Sequence, residues 1–157
     1  LLGDAPRTLT VERDGNLILG TGVSWYGSPL LRESALSGYG WERLGAGVSL
    51  PRKSTWISAL AATKGGGVLV GGTFTESGGE AIEHIARWDP ARRTLQPIGG
   101  GLPVQPDLLA SSARVDAYAA MRVRGAPGSN GQLCLVALKA VGDKISAQGN
   151  CVENGVG

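Results

Sequence analysis

Trp56-Ile-Ser-Ala-Leu-Ala-Ala62 is the first of four short apolar runs that decide the fold of this 157-residue chain. Glycine-rich turns separate it from the other three runs, Gly66-Gly-Val-Leu-Val-Gly-Gly-Thr-Phe74, His84-Ile-Ala-Arg-Trp-Asp89 and Leu95-Gln-Pro-Ile-Gly-Gly-Gly-Leu102. Short apolar runs bounded by glycine and proline read as strands of an antiparallel sheet. The stretch therefore predicts one four-stranded antiparallel sheet and an all-β fold.

The same pattern recurs in the first fifty residues. Leu17-Ile-Leu-Gly20 matches Val68-Leu-Val-Gly71 at an offset of 51 residues, and Trp41-Glu-Arg-Leu-Gly-Ala-Gly-Val48 matches Leu95 to Leu102 at an offset of 54. Repeats of about 50 residues are characteristic of β-propeller blades. We therefore predict β-propeller-type blades of four-stranded antiparallel sheets, in a partial ring of two clear blades and one degenerate blade.

The repeat sets the predicted boundaries within a single propeller segment. Blade 1 covers about 7–54, blade 2 about 55–102, a linker loop 103–112, and degenerate blade 3 about 113–157. Blade 3 lacks a fourth strand in this prediction, so that strand is missing or comes from elsewhere. The predicted strands are 8–13, 16–23, 32–37 and 41–44, then 56–63, 67–74, 83–89 and 94–98, then 115–120, 132–138 and 145–152.

The composition restricts the classes of function. Glycine supplies 26 residues, more than twice the usual share of roughly 7%, which indicates frequent turns and short strands. No apolar run approaches the roughly 18 residues of a membrane span. The formal net charge is +2, with no block of like charge. We therefore expect a soluble chain that binds neither nucleic acid nor an anionic membrane.

The repeat also resembles a known family. The residues that carry the likeness are Ala59-Leu-Ala61, Val68-Leu-Val-Gly-Gly-Thr-Phe74, Gly78-Gly79, Ile85-Ala-Arg-Trp-Asp89 and Ile98-Gly-Gly-Gly-Leu102. This pattern is similar to bacterial and fungal cell-surface β-propellers, including the fungal cortical polarity-marker type and relatives with kelch-like blades. The resemblance implies a propeller, a secreted or cell-surface location, and a scaffold or binding role rather than catalysis.

Three blades are too few for a closed ring, since propellers close with roughly four to eight blades. An open stack exposes an apolar sheet face at each end, and such faces usually meet a partner. We expect identical chains or another protein to complete the ring. The alternative is that the chain is one part of a longer propeller.

Cys134 and Cys151 are the only cysteines. A hairpin that turns at Gly142-Asp143 places them directly opposite each other, at a separation that suits a disulfide. Two unrelated thiols, or a bulge at Gly149 that shifts the register, are the alternatives. A disulfide favours an oxidising compartment.

Metal and catalytic motifs are weak. Glu80-Ala-Ile-Glu-His84 ends like a zinc helix motif, yet the segment is predicted as a turn that leads into a strand and His84 is the only histidine, so we expect a surface or locally hydrogen-bonded side chain rather than a ligand. Glu76 and Glu80 flank Gly78-Gly79 without the spacing of a calcium loop. The triple glycines at 65–67 and 99–101 precede no helix and make no phosphate loop. We predict no catalytic residue, no metal and no cofactor.

Aromatic residues give the one candidate contact site. Trp41, Trp56 and Trp88 occupy repeat positions and are predicted to pack between blades. Trp25 and Tyr26 lie in a loop without a counterpart in blade 2, and loops on a rigid scaffold often carry binding. We predict a non-catalytic extracellular or cell-surface subunit for protein binding, adhesion or assembly. The alternatives are a carbohydrate-binding, lectin-like propeller and a part of a propeller hydrolase or oxidase.

Overall fold

The computed structural model describes residues 6–22, 29–34, 40–48, 55–111, 117–123, 132–141 and 144–152. These residues form three four-stranded antiparallel sheets and one small hairpin, with no helix among them. The chain is therefore all-β, as its glycine-punctuated apolar runs predict.

The first sheet is an antiparallel meander in which each strand pairs with the next along the chain. Arg13, Asp14 and Gly15 form the turn between its first two strands, in which the Gly15 N–H donates to the Glu12 carbonyl over 3.0 Å and Gly15 has the positive φ of 90° that a three-residue hairpin turn requires. The third strand was predicted at 32–37 and lies two residues earlier. The strands are β1 Pro6–Val11, β2 Leu17–Thr21, β3 Leu30–Glu33 and β4 Trp41–Arg43.

The second sheet has the same meander order, β5-β6-β9-β10, and its strands lie within the ranges predicted for blade 2. A two-stranded hairpin, β7-β8, interrupts the connection between its two central strands. The strands of this sheet and hairpin are β5 Ile57–Ala62, β6 Val68–Gly72, β7 Glu76–Ser77, β8 Glu80–Ala81, β9 Ile85–Asp89 and β10 Thr94–Pro97.

The third sheet corrects the predicted shape of the last unit. Residues 103–112 were predicted as a linker loop, yet they contain β11, which pairs with β12 as the first strand of the sheet, whereas the prediction expected the missing strand to be the fourth. The main-chain N–H of Asp107 extends this pairing by donating to the carbonyl of Ala120 over 2.8 Å. The strands are β11 Leu108–Ala110, β12 Ala117–Val123, β13 Gln132–Val141 and β14 Lys144–Val152.

The three sheets pack face to face, and the second lies between the other two. Strand alternation puts Val68 and Val70 in a core shared with Ile18 and Leu30 of the first sheet. Leu69, between them in sequence, points to the opposite side and joins a second core with residues of the third sheet. Strand β6 is consequently buried along its whole length.

Two glycines show that the sheets meet in the same way twice. A Cβ on Gly20 of β2 would lie 2.6 Å from Ile57 of the second sheet, and one on Gly71 of β6 would lie 2.3 Å from Pro106, just before the third sheet. These glycines are the residues that the repeat aligns at an offset of 51. Each lets the first strand of the following sheet approach closely.

Candidate functional site

A cleft of about 270 Å³ opens between the first and second sheets at the ends of β1 and β5. It lies below the roughly 300–1,000 Å³ of pockets that enclose drug-sized ligands, so its size suits only a small group. Its lining consists of Glu12, Arg13, Asp14, Gly65, Gly66 and Pro90.

Two turns of identical construction form the walls. In the first sheet the Glu12 N–H donates to the Asn16 carbonyl over 2.8 Å; in the second the Thr63 N–H donates to the Gly67 carbonyl, also over 2.8 Å. Gly66 has a φ of 91°, and a Cβ there would lie 3.4 Å from Arg13 Cδ. The Arg13 side chain therefore rests on the turn of the neighbouring sheet.

Glu12 is the buried carboxylate of this site, and its side chain is only 2% exposed. Its Oε1 accepts a hydrogen bond from Trp88 Nε1 over 2.8 Å, and its Oε2 accepts one from Arg32 Nε over 2.6 Å. Both oxygens are thus committed, one to each sheet. A carboxylate held in this way fixes the interface and is poorly placed to transfer a proton.

Arg32 also forms ion pairs with the other acidic side chains around it. Its guanidinium lies 2.9 Å from Asp14 and 3.7 Å from Glu42. Partial burial works to lower the pKa of Arg32, but hydrogen bonding and charge attraction from Glu12, with help from the other acids, raise it overall. The pKa of Asp14 is lowered, chiefly because the Asn16 N–H donates to its carboxylate.

The cleft consequently offers a ligand little reactive chemistry. Its lining contains no cysteine, serine or histidine, and its two carboxylates are already paired. Arg13 has no ion pair with any described residue and presents the one uncommitted charge. This arrangement can hold a small polar or anionic group but supplies no nucleophile and no free acid or base.

His84 lies just before β9, although the predicted strand at 83–89 includes it. Its φ is 63°, in the left-handed region that few non-glycine residues adopt. The ring Nδ1 lies 3.1 Å from the Gly72 carbonyl, which can only accept, so Nδ1 carries the proton. The side chain is therefore locally hydrogen-bonded.

Glu76 and Glu80 lie on the two strands of the β7-β8 hairpin, whose turn is Gly78-Gly79. Both glycines have positive φ. Across the described part of the chain, no three His, Cys, Asp or Glu side chains gather closely enough to hold a metal ion.

The cysteines meet across the third sheet. The backbone pairs Cys134 directly with Cys151, in the register expected from a turn at Gly142-Asp143. Cys134 is disulfide-bonded and 2% exposed, in the core between the second and third sheets. The disulfide bond of Cys134 therefore starts from the same core that packs the third sheet against the second.

The predicted aromatic residues have different outcomes. Trp88 is buried against the first sheet, and the Arg7 guanidinium lies 5.6 Å from the centre of the Trp56 ring, so both tryptophans contribute between sheets. Trp41 is half-buried on the outer side of the first sheet. Trp25 and Tyr26, the predicted binding residues, lie outside the described residues.

Sequence reasoning missed Glu12 and Arg32. Glu12 directly precedes the Arg13-Asp14-Gly15 turn, but no local pattern connects it to a tryptophan 76 residues later.

The described residues contain no helix of the length and hydropathy that a membrane crossing needs. Comparisons of the chain with protein-family models, curated proteins and solved structures find no match.

Proposed function

We propose that this chain is a β-propeller segment of three blades that acts without catalysis in protein binding, adhesion or assembly. The observation that carries the proposal is the recurrence of one sheet-to-sheet contact, at Gly20 and again at Gly71. A repeated contact of this kind stacks successive meanders in the same relation, which is the construction rule of a propeller.

The chemistry of the cleft supports a binding role. Glu12, Arg32 and Asp14 are tied to each other and to Trp88. An enzyme needs a group that can bond to its substrate or exchange a proton with it, and the polar atoms of these groups are occupied by their partners. The same network makes the interface between the first two sheets rigid, as a binding platform requires.

An extracellular or cell-surface location is part of the proposal. Its support is that Cys134 is disulfide-bonded, since such bonds persist in oxidising compartments. The partner is a protein, either another molecule or identical chains that complete a propeller ring.

The second candidate is a lectin-like propeller that binds carbohydrate. Sugar rings are usually recognised by stacking on exposed aromatic faces, and the cleft is lined by no tryptophan or tyrosine. Arg13 is the cleft residue that a bound sugar acid would meet. The propeller hydrolase or oxidase is the third candidate, and no observation favours it over binding.

Three measurements on the purified chain test the proposal. Antibodies raised against it are expected to label intact, unpermeabilised source cells, while panels of hydrolase and oxidase substrates show no turnover and a glycan array shows no binding. Labelling only after permeabilisation would contradict the location. Glycan binding that Arg13→Ala abolishes would favour the lectin, and turnover that His84→Asn abolishes would favour the enzyme.

A further inference from the structure

The side of the first sheet that faces away from the second carries an apolar patch on β1, β2 and β3, bordered by Glu33, Trp41 and Arg43. Its register rows alternate, so Leu9, Leu19 and Leu31 lie side by side on this outer side, with Val11 and Leu17 in the adjacent row. Leu9 is 56% exposed and Val11 is 51% exposed. These five residues define the outer face of the first sheet.

The repeat shows what kind of surface fits this face. Leu17 and Leu19 occupy the positions of Val68 and Val70 in the second sheet, and those two valines are completely buried against the first sheet. The outer face of the first sheet therefore has the residue pattern of a face that another sheet covers. Its equivalent in the same chain is covered by the preceding four-stranded meander.

The third sheet exposes apolar side chains on the face that points away from the second sheet. Leu108, Ala120 and Leu135 form one row across β11, β12 and β13, and Leu133 is exposed in the next row. These residues define the outer face of the third sheet, which is the side opposite to the core shared with the second sheet. It includes a small residue, Ala120, on the second strand, where the first two sheets use glycine to admit the next sheet.

Exposed apolar residues concentrate on these two faces. Among the residues whose side chains the structure describes, the five large hydrophobic side chains that are half exposed or more all belong to one face or the other: Leu9, Val11, Leu108, Leu133 and Leu135. Chance exposure would scatter such residues over the surface. Their restriction to the two ends of the stack marks both ends as contact surfaces.

We infer that the outer face of the first sheet binds the outer face of the third sheet in a second copy of this chain. The two faces are unlike and lie at opposite ends of one stack, so the contact is head to tail and continues the stacking inside the chain. Two copies supply six sheets, within the roughly four to eight that close a propeller. The inference rests on the propeller arrangement proposed above.

Light scattering on the purified chain tests this contact. We expect a mass of twice 16.1 kDa for the unaltered chain. Leu9→Arg and Leu135→Arg each place a charge at the centre of one face, and each is expected to weaken self-association roughly tenfold or more. Gly100→Arg adds the same charge where a Cβ meets nothing within 4 Å, and it should leave the mass unchanged.

Mixing the two face variants decides the geometry. In a mixture, the unaltered third-sheet face of Leu9→Arg can bind the unaltered first-sheet face of Leu135→Arg. The mixture is therefore expected to regain the dimer that neither variant forms alone. A dimer lost only in Leu9→Arg, with no recovery on mixing, would overturn the head-to-tail contact. A monomeric unaltered chain would overturn the inference outright, while the cell-labelling and turnover tests of the proposed function would keep their own outcomes.

Discussion

The indole Nε1–H of Trp88 donates a hydrogen bond of 2.8 Å to Glu12 Oε1 between two packed sheets. The two residues lie 76 positions apart, so the bond forms only when the second sheet has docked on the first. Since Arg32 holds the other oxygen of Glu12, this carboxylate fixes the end of β1 against the centre of the neighbouring sheet.

Trp88→Phe should test the strength of this link. Phenylalanine keeps an aromatic ring in the core but removes the donor, which leaves Glu12 Oε1 buried without a partner. Hydrogen bonds to charged groups contribute about 1.5–3 kcal/mol, so the free energy of unfolding is expected to fall by about 2 kcal/mol in urea denaturation.

Trp56→Phe is the matched control, because that ring is half-buried and contacts Arg7 only through a cation–π interaction at 5.6 Å. Its expected loss is about 0.5–1 kcal/mol. Equal losses in the two variants would mean that ring volume, and not the hydrogen bond, accounts for the effect.

Gly20→Ala and Gly71→Ala should each destabilise the fold, because their new methyl groups would overlap Ile57 and Pro106 of the following sheet. Overpacking typically costs about 1–3 kcal/mol. Gly100→Ala is the control, since a Cβ there meets nothing within 4 Å. Thermal unfolding of all three variants measures the difference, and an unchanged midpoint for Gly71→Ala would contradict the close approach of the sheets.

The sequence predicted the parts of this fold that local pattern determines. The 51-residue offset aligned Gly20 with Gly71, and these glycines occupy equivalent contacts. Strand β11 escaped prediction because Leu108-Leu-Ala110 is too short a run to stand out, and its place depends on pairing with β12 and on the contact between Pro106 and Gly71.

The candidate site was less predictable than the fold. Glu12 and Arg32 read as ordinary charges beside a turn, and their burial arises from a sheet contributed by residues much later in the chain. His84 was predicted within the strand at 83–89 but lies just before β9, because its φ of 63° is not an extended backbone conformation. Properties that depend on distant packing leave no periodic signal.

The lowered pKa of Asp14 predicts a small loss of stability in acid. The folded pKa lies below the unfolded value of about 3.9, so the contribution is complete above that value and is lost as pH falls through the folded pKa. The Asp14 side chain is 55% exposed, which keeps the effect well below ~1 kcal/mol.

Unfolding free energies of the unaltered chain and of Asp14→Asn should therefore converge as pH falls below about 4. A constant gap between the unaltered chain and Asp14→Asn at every pH would contradict the assignment.

Reduction should destabilise the third sheet, because Cys134 is disulfide-bonded in the core that this sheet shares with the second. A disulfide that closes a loop as short as 134–151 stabilises a fold by about 3 kcal/mol. Thermal unfolding with and without reductant measures the loss, and the double variant Cys134→Ala with Cys151→Ala should not respond to reductant. A reductant-independent midpoint in the unaltered chain would contradict a stabilising disulfide.

The second sheet lacks a counterpart of the Glu12 carboxylate. Register and turn geometry place Thr63 where the first sheet has Glu12, and Arg87 where it has Arg32. Among the described residues, Arg87 Nε is the buried side-chain nitrogen that has no hydrogen-bond partner. A partner for it should therefore stabilise the chain.

Thr63→Glu is expected to supply that partner by extending a carboxylate from the same turn position toward Arg87. The variant loses the bond from Thr63 Oγ1 to the Gly67 carbonyl, so the expected net gain is about 1 kcal/mol in urea denaturation. Thr63→Gln matches the size of glutamate without its charge and should gain less. If both variants are equally stable, the carboxylate does not reach Arg87, and the two turns are alike in backbone only.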